Sequence, residues 1–366
     1  MKIKRRLTAN VVCRLVNYYF VGPDVARRRR KLLAYVQKTS KTSASCASIV
    51  AKERRPNKKA KRAPTTYSIL PEIETYLHLL VVIYLFQENR LGHVRAIKCC
   101  ESLMKMLELH NLRLLDLLAA KVYYFYCLMH ERIGKLSSCC KYLDKRLLVA
   151  KLHHHDDTHA TLTNCLLRLY IVEKSFDLAS TLIEDDKRCP FPPEADVYQW
   201  ARFHYYTGLV RATQRRYDEA RQALISALKK APLLVAEGFR YSIVVVLICV
   251  ELLLGHLPDR LIYREYASSN VVEPYLKLAQ AVRDGDVKLF DKTLEKGWKT
   301  FDDDQTLNFV VHLKDSVIRA ALRQLSAAYS KIYIRQICKK LQFDHQNDAI
   351  AILSKFDFEN FSQTLS

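Results

Sequence analysis

The residues most suited to chemistry are a run of histidines and aspartates at residues 153–157, with His159 following closely. Imidazole nitrogens and carboxylates bind zinc, but consecutive side chains on a helix point about 100° apart and do not converge on one ion. His155 and His159 have the i, i+4 spacing of a ligand pair, but the sequence fixes no third ligand. We therefore interpret the run as a polar turn between helices and predict neither a metal nor a cofactor.

Nucleophilic and acid–base catalysis have no better support. The motifs GxSxG, GxGxxG and GxxxxGK[ST] do not occur in the sequence. Cys189 precedes Pro190 in a proline-rich loop, where a thiol is more often incidental than catalytic. The carboxylate runs at 184–186 and 302–304 lie beside predicted turns, and we interpret both as solvated loop ends. The sequence therefore predicts no enzyme.

The elements that carry these residues are predicted to be helices. The 366 residues include only 8 Gly and 10 Pro, and 49% are hydrophobic, which favours helices with buried cores. The longest apolar run, Ile243–Leu254, is about half a membrane span, so we interpret it as a buried helix and predict no membrane contact. Eleven Cys, an odd number without a CxxC motif, are typical of a reducing compartment.

The net charge of +21 is concentrated near the N-terminus, where residues 1–67 hold 19 Lys or Arg against only Asp24 and Glu53. Within this segment, Lys58, Lys59, Lys61 and Arg62 have the composition of a nuclear-import signal. Any nucleic-acid binding is expected here, because the remaining chain has no comparable positive charge. We rate nucleic-acid binding as the less favoured interpretation of this charge.

Weak repeats of about 40 residues follow from Leu70 onward. In the clearest copy, small and bulky residues fall at the spacings of a tetratricopeptide repeat, and these are Gly208, Ala220, Leu224, Ala227 and Pro232. Small residues let two antiparallel helices approach closely, and Pro232 stops the second helix. The turn motif Tyr217–Ala220 has relatives at 176–179, 136–139 and 93–96. The pattern predicts a tetratricopeptide-like right-handed helical solenoid.

After Pro274 the pattern changes. The pattern of residues 276–298 predicts a last helical pair with a turn at Asp284–Asp286. The pattern of residues 317–330 predicts a long amphipathic helix. The β-branched and aromatic residues at 332–334 then predict a strand, followed by helices over 335–341 and 348–355. Strand, helix, turn and helix form the first half of a winged helix. The last helix is mostly apolar, so we expect it to pack against protein and not to contact DNA.

Many ordered sequence matches resemble one family, that of non-ATPase subunit 3 of the 26S proteasome regulatory particle, a component of the lid with a PCI domain. The resembling stretches are LPEIETYL at 70–77, LDLLAAK at 115–121, YYTG at 205–208, KKAP at 229–232, VELLLG at 250–255, PDRL at 258–261, QAVR at 280–283 and YSKI at 329–332. The resemblance covers about residues 70–353. It implies a mainly α fold: tetratricopeptide-like repeats followed by a PCI-type winged helix, here truncated because about ten residues follow Phe356.

The resemblance implies a scaffold in cytoplasm and nucleus that cleaves nothing. Its expected partners are other PCI subunits of the lid and a small acidic lid protein. An unpaired strand can recruit another strand through main-chain hydrogen bonds. The expected interface at the winged-helix edge therefore consists of Ile332, Tyr333, Ile334, Ile337 and Leu341.

The predicted organisation has four parts. Residues 1–38 form a basic helical segment, 39–68 a basic and disordered linker, 69–272 the helical repeats, and 273–366 the helical end of the PCI domain with its partial winged helix. The favoured function is support of ATP- and ubiquitin-dependent degradation as a lid subunit. The alternative is a PCI scaffold of another complex, of the signalosome or mRNA-export type, with RNA bound by the linker.

Overall fold

The structure, a computed structural model, describes residues 7–20, 25–37, 70–87, 90–110, 112–185, 189–233, 236–265, 272–329, 333–341, 350 and 354. The regular structure of these residues is entirely helical. The helices are α1 (Ala9–Tyr19), α2 (Ala26–Gln37), α3 (Pro71–Gln87), α4 (Arg90–His110), α5 (Asp116–Ile133), α6 (Leu136–Leu152), α7 (Asp156–Val172), α8 (Phe176–Asp185), α9 (Val197–Thr213), α10 (Tyr217–Lys230), α11 (Glu237–Leu254), α12 (Arg260–Glu265), α13 (Glu273–Asp284), α14 (Val287–Asp303), α15 (Leu307–Ala328) and α16 (Ile334–Leu341). The mainly helical prediction is confirmed.

Six helix-to-helix turns share one construction. Each has a residue in the left-handed region, two positions before the next helix begins: Gly134, His154, Lys174, Arg215, Gly285 and Gln305. The next residue then donates its N–H to a carbonyl five positions back, as Ser175 does to Tyr170 at 2.9 Å. This bond satisfies an orphan carbonyl at the end of the first helix. The resulting sharp reversal lets the two helices pack side by side.

The turns also give the repeat its period. Helices α6, α8 and α10 begin at Leu136, Phe176 and Tyr217, which are 40 and 41 residues apart. The motif that the sequence aligned as a turn is therefore the first turn of each second helix. The relative at His93 departs from this pattern, because α4 already begins at Arg90.

The chain divides into two compact units, Met1–Gln199 and Trp200–Ser366. In the first unit, α5 packs against α4 and α7, while α1 and α2 pack against each other and against α3. A side chain from α5 also fixes the start of α7. The buried Asp116 carboxylate accepts hydrogen bonds from the backbone N–H groups of Asp157 at 3.0 Å and Thr158 at 3.1 Å.

In the second unit, α11 is the central helix and packs against α10, α13 and α15. Every residue from Ile243 to Leu252 is buried. A helix that is apolar all round must be covered on all sides, which explains why three others surround it. The expected buried helix at 243–254 is confirmed. Among the described residues, no helix combines the length and apolar character needed to cross a membrane.

Candidate protein-interaction surface

The C-terminal helix α16 has one buried and one exposed side. Ile337 and Cys338 are buried, whereas Ile334 is 39% exposed and Tyr333, just before the helix, is 80% exposed. Apolar residues at 334, 337, 338 and 341 have helical spacing, and this pattern produces the helix. The surface thus presents two adjacent apolar side chains, fixed in place by the buried Ile337.

The predicted strand at 332–334 is wrong at Ile334, which is the first residue of α16. Its β-branched side chain favoured a strand, but the i, i+3, i+4 pattern of apolar residues favours a helix and prevails. Of the other proposed interface residues, Ile332 and the side chain of Leu341 lie outside the described residues. Among the described residues, the candidate surface therefore consists of Tyr333, which precedes α16, and of side chains on α16, and contains no strand edge.

The helices below this surface are held by a very close backbone contact. Gly285 ends α13 with φ of +63°, and a Cβ built there would lie 2.7 Å from the Cα of Ala321 on α15. Asp286 then caps α14, because its side chain accepts hydrogen bonds from the N–H groups of Lys288 and Leu289. The predicted turn at 284–286 is confirmed. It packs directly on the backbone of α15.

A hydrogen-bond network centred on the half-buried carboxylate of Asp304 joins three elements of the same unit. Asp304 accepts hydrogen bonds from the hydroxyls of Tyr241 at 2.8 Å and Tyr275 at 2.9 Å. The Tyr275 hydroxyl also lies 2.8 Å from that of Thr306. Burial raises the pKa of Tyr275, so this phenol stays protonated and can donate. The interpretation of 302–304 as a solvated loop end is therefore wrong for Asp304, although Asp302 and Asp303 are exposed.

The proposed repeat-packing residues come together between α9 and α10. Ala220, Leu224 and Ala227 are fully buried. A Cβ at Gly208 would lie 2.8 Å from the Cγ of Leu224, so any larger residue would force the Leu224 side chain to shift. Pro232 is half-buried and follows the end of α10 at Lys230. We therefore keep the role of these residues in close packing of α9 against α10 as a proposal, with the contact between Gly208 and Leu224 as its centre.

The histidines first considered for chemistry lie apart, in a turn and on a helix. His153 and His154 lie in the turn between α6 and α7, and His159 is buried in α7 against Phe191. Burial, with Lys151 adding to it, lowers the pKa of His159 to about 4. No group of three potential ligands that could hold a metal occurs in the described part of the chain. The histidines at 153–155 thus lie between α6 and α7, whereas His159 lies within α7.

Most of the described thiols are buried. Nine of the ten described cysteines are buried, and Cys189 is half-buried in its loop. Burial raises the pKa of Cys99 to about 12, which keeps it a thiol at neutral pH. A cavity of about 600 Å³ in the first unit is lined mainly by apolar side chains of α1 and α3, with Glu72 as its one carboxylate. None of these features brings a nucleophile and a base together.

One functional feature was not predicted from the sequence, and one predicted group of residues cannot be placed. The cap formed by Asp116 was not predicted, because its partners on α7 are 41 and 42 residues away. The proposed nuclear-import residues Lys58, Lys59, Lys61 and Arg62 lie outside the described residues.

Two family models match the chain. Residues 1–279 match "PSMD3-like, N-terminal TPR repeats", and residues 297–356 match the PCI domain. The tetratricopeptide-like repeats followed by a PCI domain are therefore confirmed. The second match contains α16 and its exposed side, and the first contains Gly208 and its neighbours.

Curated relatives agree with these models. The chain is 33% identical to the 26S proteasome non-ATPase regulatory subunit 3 of Dictyostelium discoideum, over 96% of this chain and 68% of that protein. It is 37% identical to the probable subunit 3 of Anopheles stephensi, over 78% of this chain and 56% of that protein. It is also 32% identical to the subunit 3 of Caenorhabditis elegans, over 97% of this chain and 69% of that protein. The chain thus spans between about half and two thirds of these relatives, and it belongs to the family of 26S proteasome non-ATPase regulatory subunit 3.

Proposed function

We propose that this chain is a non-catalytic scaffold of the proteasome lid, and that it supports ATP- and ubiquitin-dependent protein degradation in cytoplasm and nucleus. The observation that carries the proposal is the match to regulatory subunit 3 over 96% of the chain, with a PCI domain at residues 297–356. The described residues add support, since they bring together no metal ligands and no nucleophile with a base. The partners would be other PCI subunits and a small acidic lid protein.

The contact with PCI subunits is proposed to run through the exposed side of α16. Tyr333 and Ile334 are adjacent and exposed, while Ile337 holds the helix in the core. Aromatic and aliphatic side chains on a rigid element are the usual anchors of a protein interface. The side chains can therefore be removed without emptying the core, which makes the contact testable.

The test is co-sedimentation of the tagged full chain with proteasome particles from cells. The Y333A/I334S variant should lose at least about tenfold of its particle-bound fraction, as expected for two anchors worth about 1.4 kcal/mol or more together. L148S/L152S is a matched control, because Leu148 and Leu152 on α6 are 63% and 78% exposed. It should sediment as the unmodified chain does. Sedimentation of the unmodified chain with a different complex would contradict the proposal.

A further inference from the structure

Helix α1 has two apolar sides, and the first unit covers only one of them. Val12, Cys13 and Val16 are buried where α1 packs against α2 and α3. Val11 and Tyr19, on a different side of the helix, are 42% and 43% exposed. One apolar stripe is enough to hold a helix on its unit, so the second stripe is available for another contact.

The second side of α1 borders a groove of about 600 Å³ that it shares with α3. Apolar side chains at helical spacing line the groove from both helices, and these are Val11, Leu15 and Tyr19 of α1 and Ile73, Tyr76 and Leu80 of α3. We call this the α1–α3 groove. Adjoining apolar side chains that stay partly exposed mark an interaction site, whereas single exposed ones do not.

The dimensions of the groove suit a helix. At about 1.5 Å per residue, α1 rises about 12 Å from Val11 to Tyr19, and α3 rises about 10.5 Å from Ile73 to Leu80. A helix that inserts side chains at i, i+3 or i+4, and i+7 also spans about 10.5 Å between its outer anchors. An extended peptide would instead add to a strand edge, and the described part of this chain contains no strand.

The charge of the groove comes from Glu72, the one charged side chain that lines it. Glu72 is half-buried, and among the described residues no cation forms an ion pair with it. The nearby Glu74, by contrast, has Arg28 as its partner. The first turn of α3 favours a carboxylate at 72 but supplies no cation to it. A carboxylate that has lost part of its hydration in this way is complementary to a Lys or Arg on an incoming chain.

We propose that the α1–α3 groove binds an amphipathic helix of another protein, whose apolar side fills the groove and whose adjacent Lys or Arg pairs with Glu72. The exposed rings of Tyr19 and Tyr76 serve as anchors, because tyrosine contributes a large apolar area and a hydroxyl that reaches water. The groove belongs to the first unit and α16 to the second. This binding therefore goes beyond the proposed lid contact and can fail without affecting it.

The first experiment identifies what lies in the groove in cells. The full chain is expressed with the photo-reactive amino acid p-benzoylphenylalanine in place of Tyr76, irradiated and purified, and the cross-linked peptides are sequenced by mass spectrometry. We expect one segment of another protein, with apolar residues at i, i+3 or i+4, and i+7 and a Lys or Arg beside them. V11D in the same chain should reduce the yield of this adduct at least about tenfold.

The second experiment measures affinity with a fluorescein-labelled synthetic peptide of the cross-linked segment, by fluorescence anisotropy with the purified full chain. V11D/Y76S should weaken binding at least about tenfold, since it removes one anchor from each helix. E72K should weaken binding about fivefold, and a peptide with its Lys or Arg changed to Glu should bind E72K better than it binds the unmodified chain.

A matched control is V172D/L178S. Val172 and Leu178 also lie in the first unit and are 40% and 53% exposed, but they do not line the groove. This variant should bind the peptide within about twofold of the unmodified chain. Circular dichroism should show the same helical signal for all variants, because each replaced side chain is partly exposed.

Four results would overturn the proposal. Adducts only with a second copy of this chain would assign the groove to self-association, and adducts only within one copy would assign it to the chain's own residues. Irradiation without any adduct would show that the groove faces water. Equal peptide affinity of V11D/Y76S and V172D/L178S would show that binding occurs elsewhere.

Discussion

The interior of each compact unit is stabilised in a different way. Among the described residues, the first unit buries eleven polar or charged residues and the second buries four. In the first unit these side chains often reach a neighbouring helix: Asp116 caps α7, Glu74 binds Arg28, and Asn164 donates to the Gln199 carbonyl at 2.9 Å. In the second unit the helices pack on the apolar α11, and the tyrosine hydroxyls of two helices converge on Asp304.

The two kinds of packing predict which substitutions destabilise each unit most. A helix interface fixed by a buried polar group fails when one partner is removed, because the other is left unsatisfied. An interface fixed by close backbone approach fails when a side chain is enlarged. Truncation of polar residues should therefore affect the first unit more, and added methyl groups the second.

The largest effect is expected from G285A in the second unit. The added methyl group would meet the backbone of Ala321, which cannot move aside. In addition, Gly285 has a left-handed backbone conformation that alanine adopts only with strain. We expect the free energy of unfolding to fall by about 3 kcal/mol. Backbone strain contributes about 1 kcal/mol of this loss and overpacking about 2 kcal/mol. Urea denaturation measures it.

The first unit supplies the control. Gly134 has φ of +81°, and a Cβ there would meet nothing within 4 Å. G134A should therefore cost only the backbone strain, about 1 kcal/mol. Equal losses in the two variants would show that the contact with Ala321 contributes nothing.

Second in size is D116A in the first unit. It leaves two N–H groups at the start of α7 without an acceptor, that of the buried Thr158 and that of the half-buried Asp157, so we expect a loss of about 2 kcal/mol. The matched cap in the second unit is Asp286, which is exposed. D286A should cost about 1 kcal/mol, because water replaces the lost acceptor. A larger loss for D286A in urea denaturation would reverse the comparison.

Local patterns predicted much of this architecture. The apolar run at 243–254 and the turn at 284–286 were identified because their signals lie within a few neighbouring residues. Asp304 was misjudged, since its partners Tyr275 and Tyr241 are 29 and 63 residues away. Ile334 was misjudged for another reason, because local propensity and helical spacing disagreed there and the spacing prevailed. Long-range polar partners cannot be read from periodicity.

A third prediction concerns the close approach of α9 and α10. G208A places a methyl group against Leu224, whose side chain can partly move, so we expect a loss of about 1.5 kcal/mol. In an L224A background the same change should cost less than about 0.5 kcal/mol, because the space is vacant. A double-mutant cycle in urea measures the coupling. Additive losses would remove Gly208 from the packing account.

The smallest expected effect is a pH dependence of the first unit. Burial, together with the nearby Arg28, lowers the pKa of His78 to about 4 from 6.5. As pH falls from 6.5 toward 4, the unfolded chain binds a proton that the folded chain does not. The resulting stability is full above 6.5 and declines through this window.

H78L should remove this contribution. Between about pH 7 and 5, the variant should lose on the order of 1 kcal/mol less of its unfolding free energy than the unmodified chain. Leucine is suitable because Nδ1 of His78 has no hydrogen-bond partner among the described residues. Parallel pH profiles of the two proteins would contradict the assignment.

The most direct test of the scaffold role is the stoichiometry of what the chain binds in cells. Native purification through a tag on the full chain, followed by quantitative mass spectrometry, should recover other lid subunits with a PCI domain in near-equal amounts. Recovery of the chain alone, or with another complex and without lid subunits, would contradict the account.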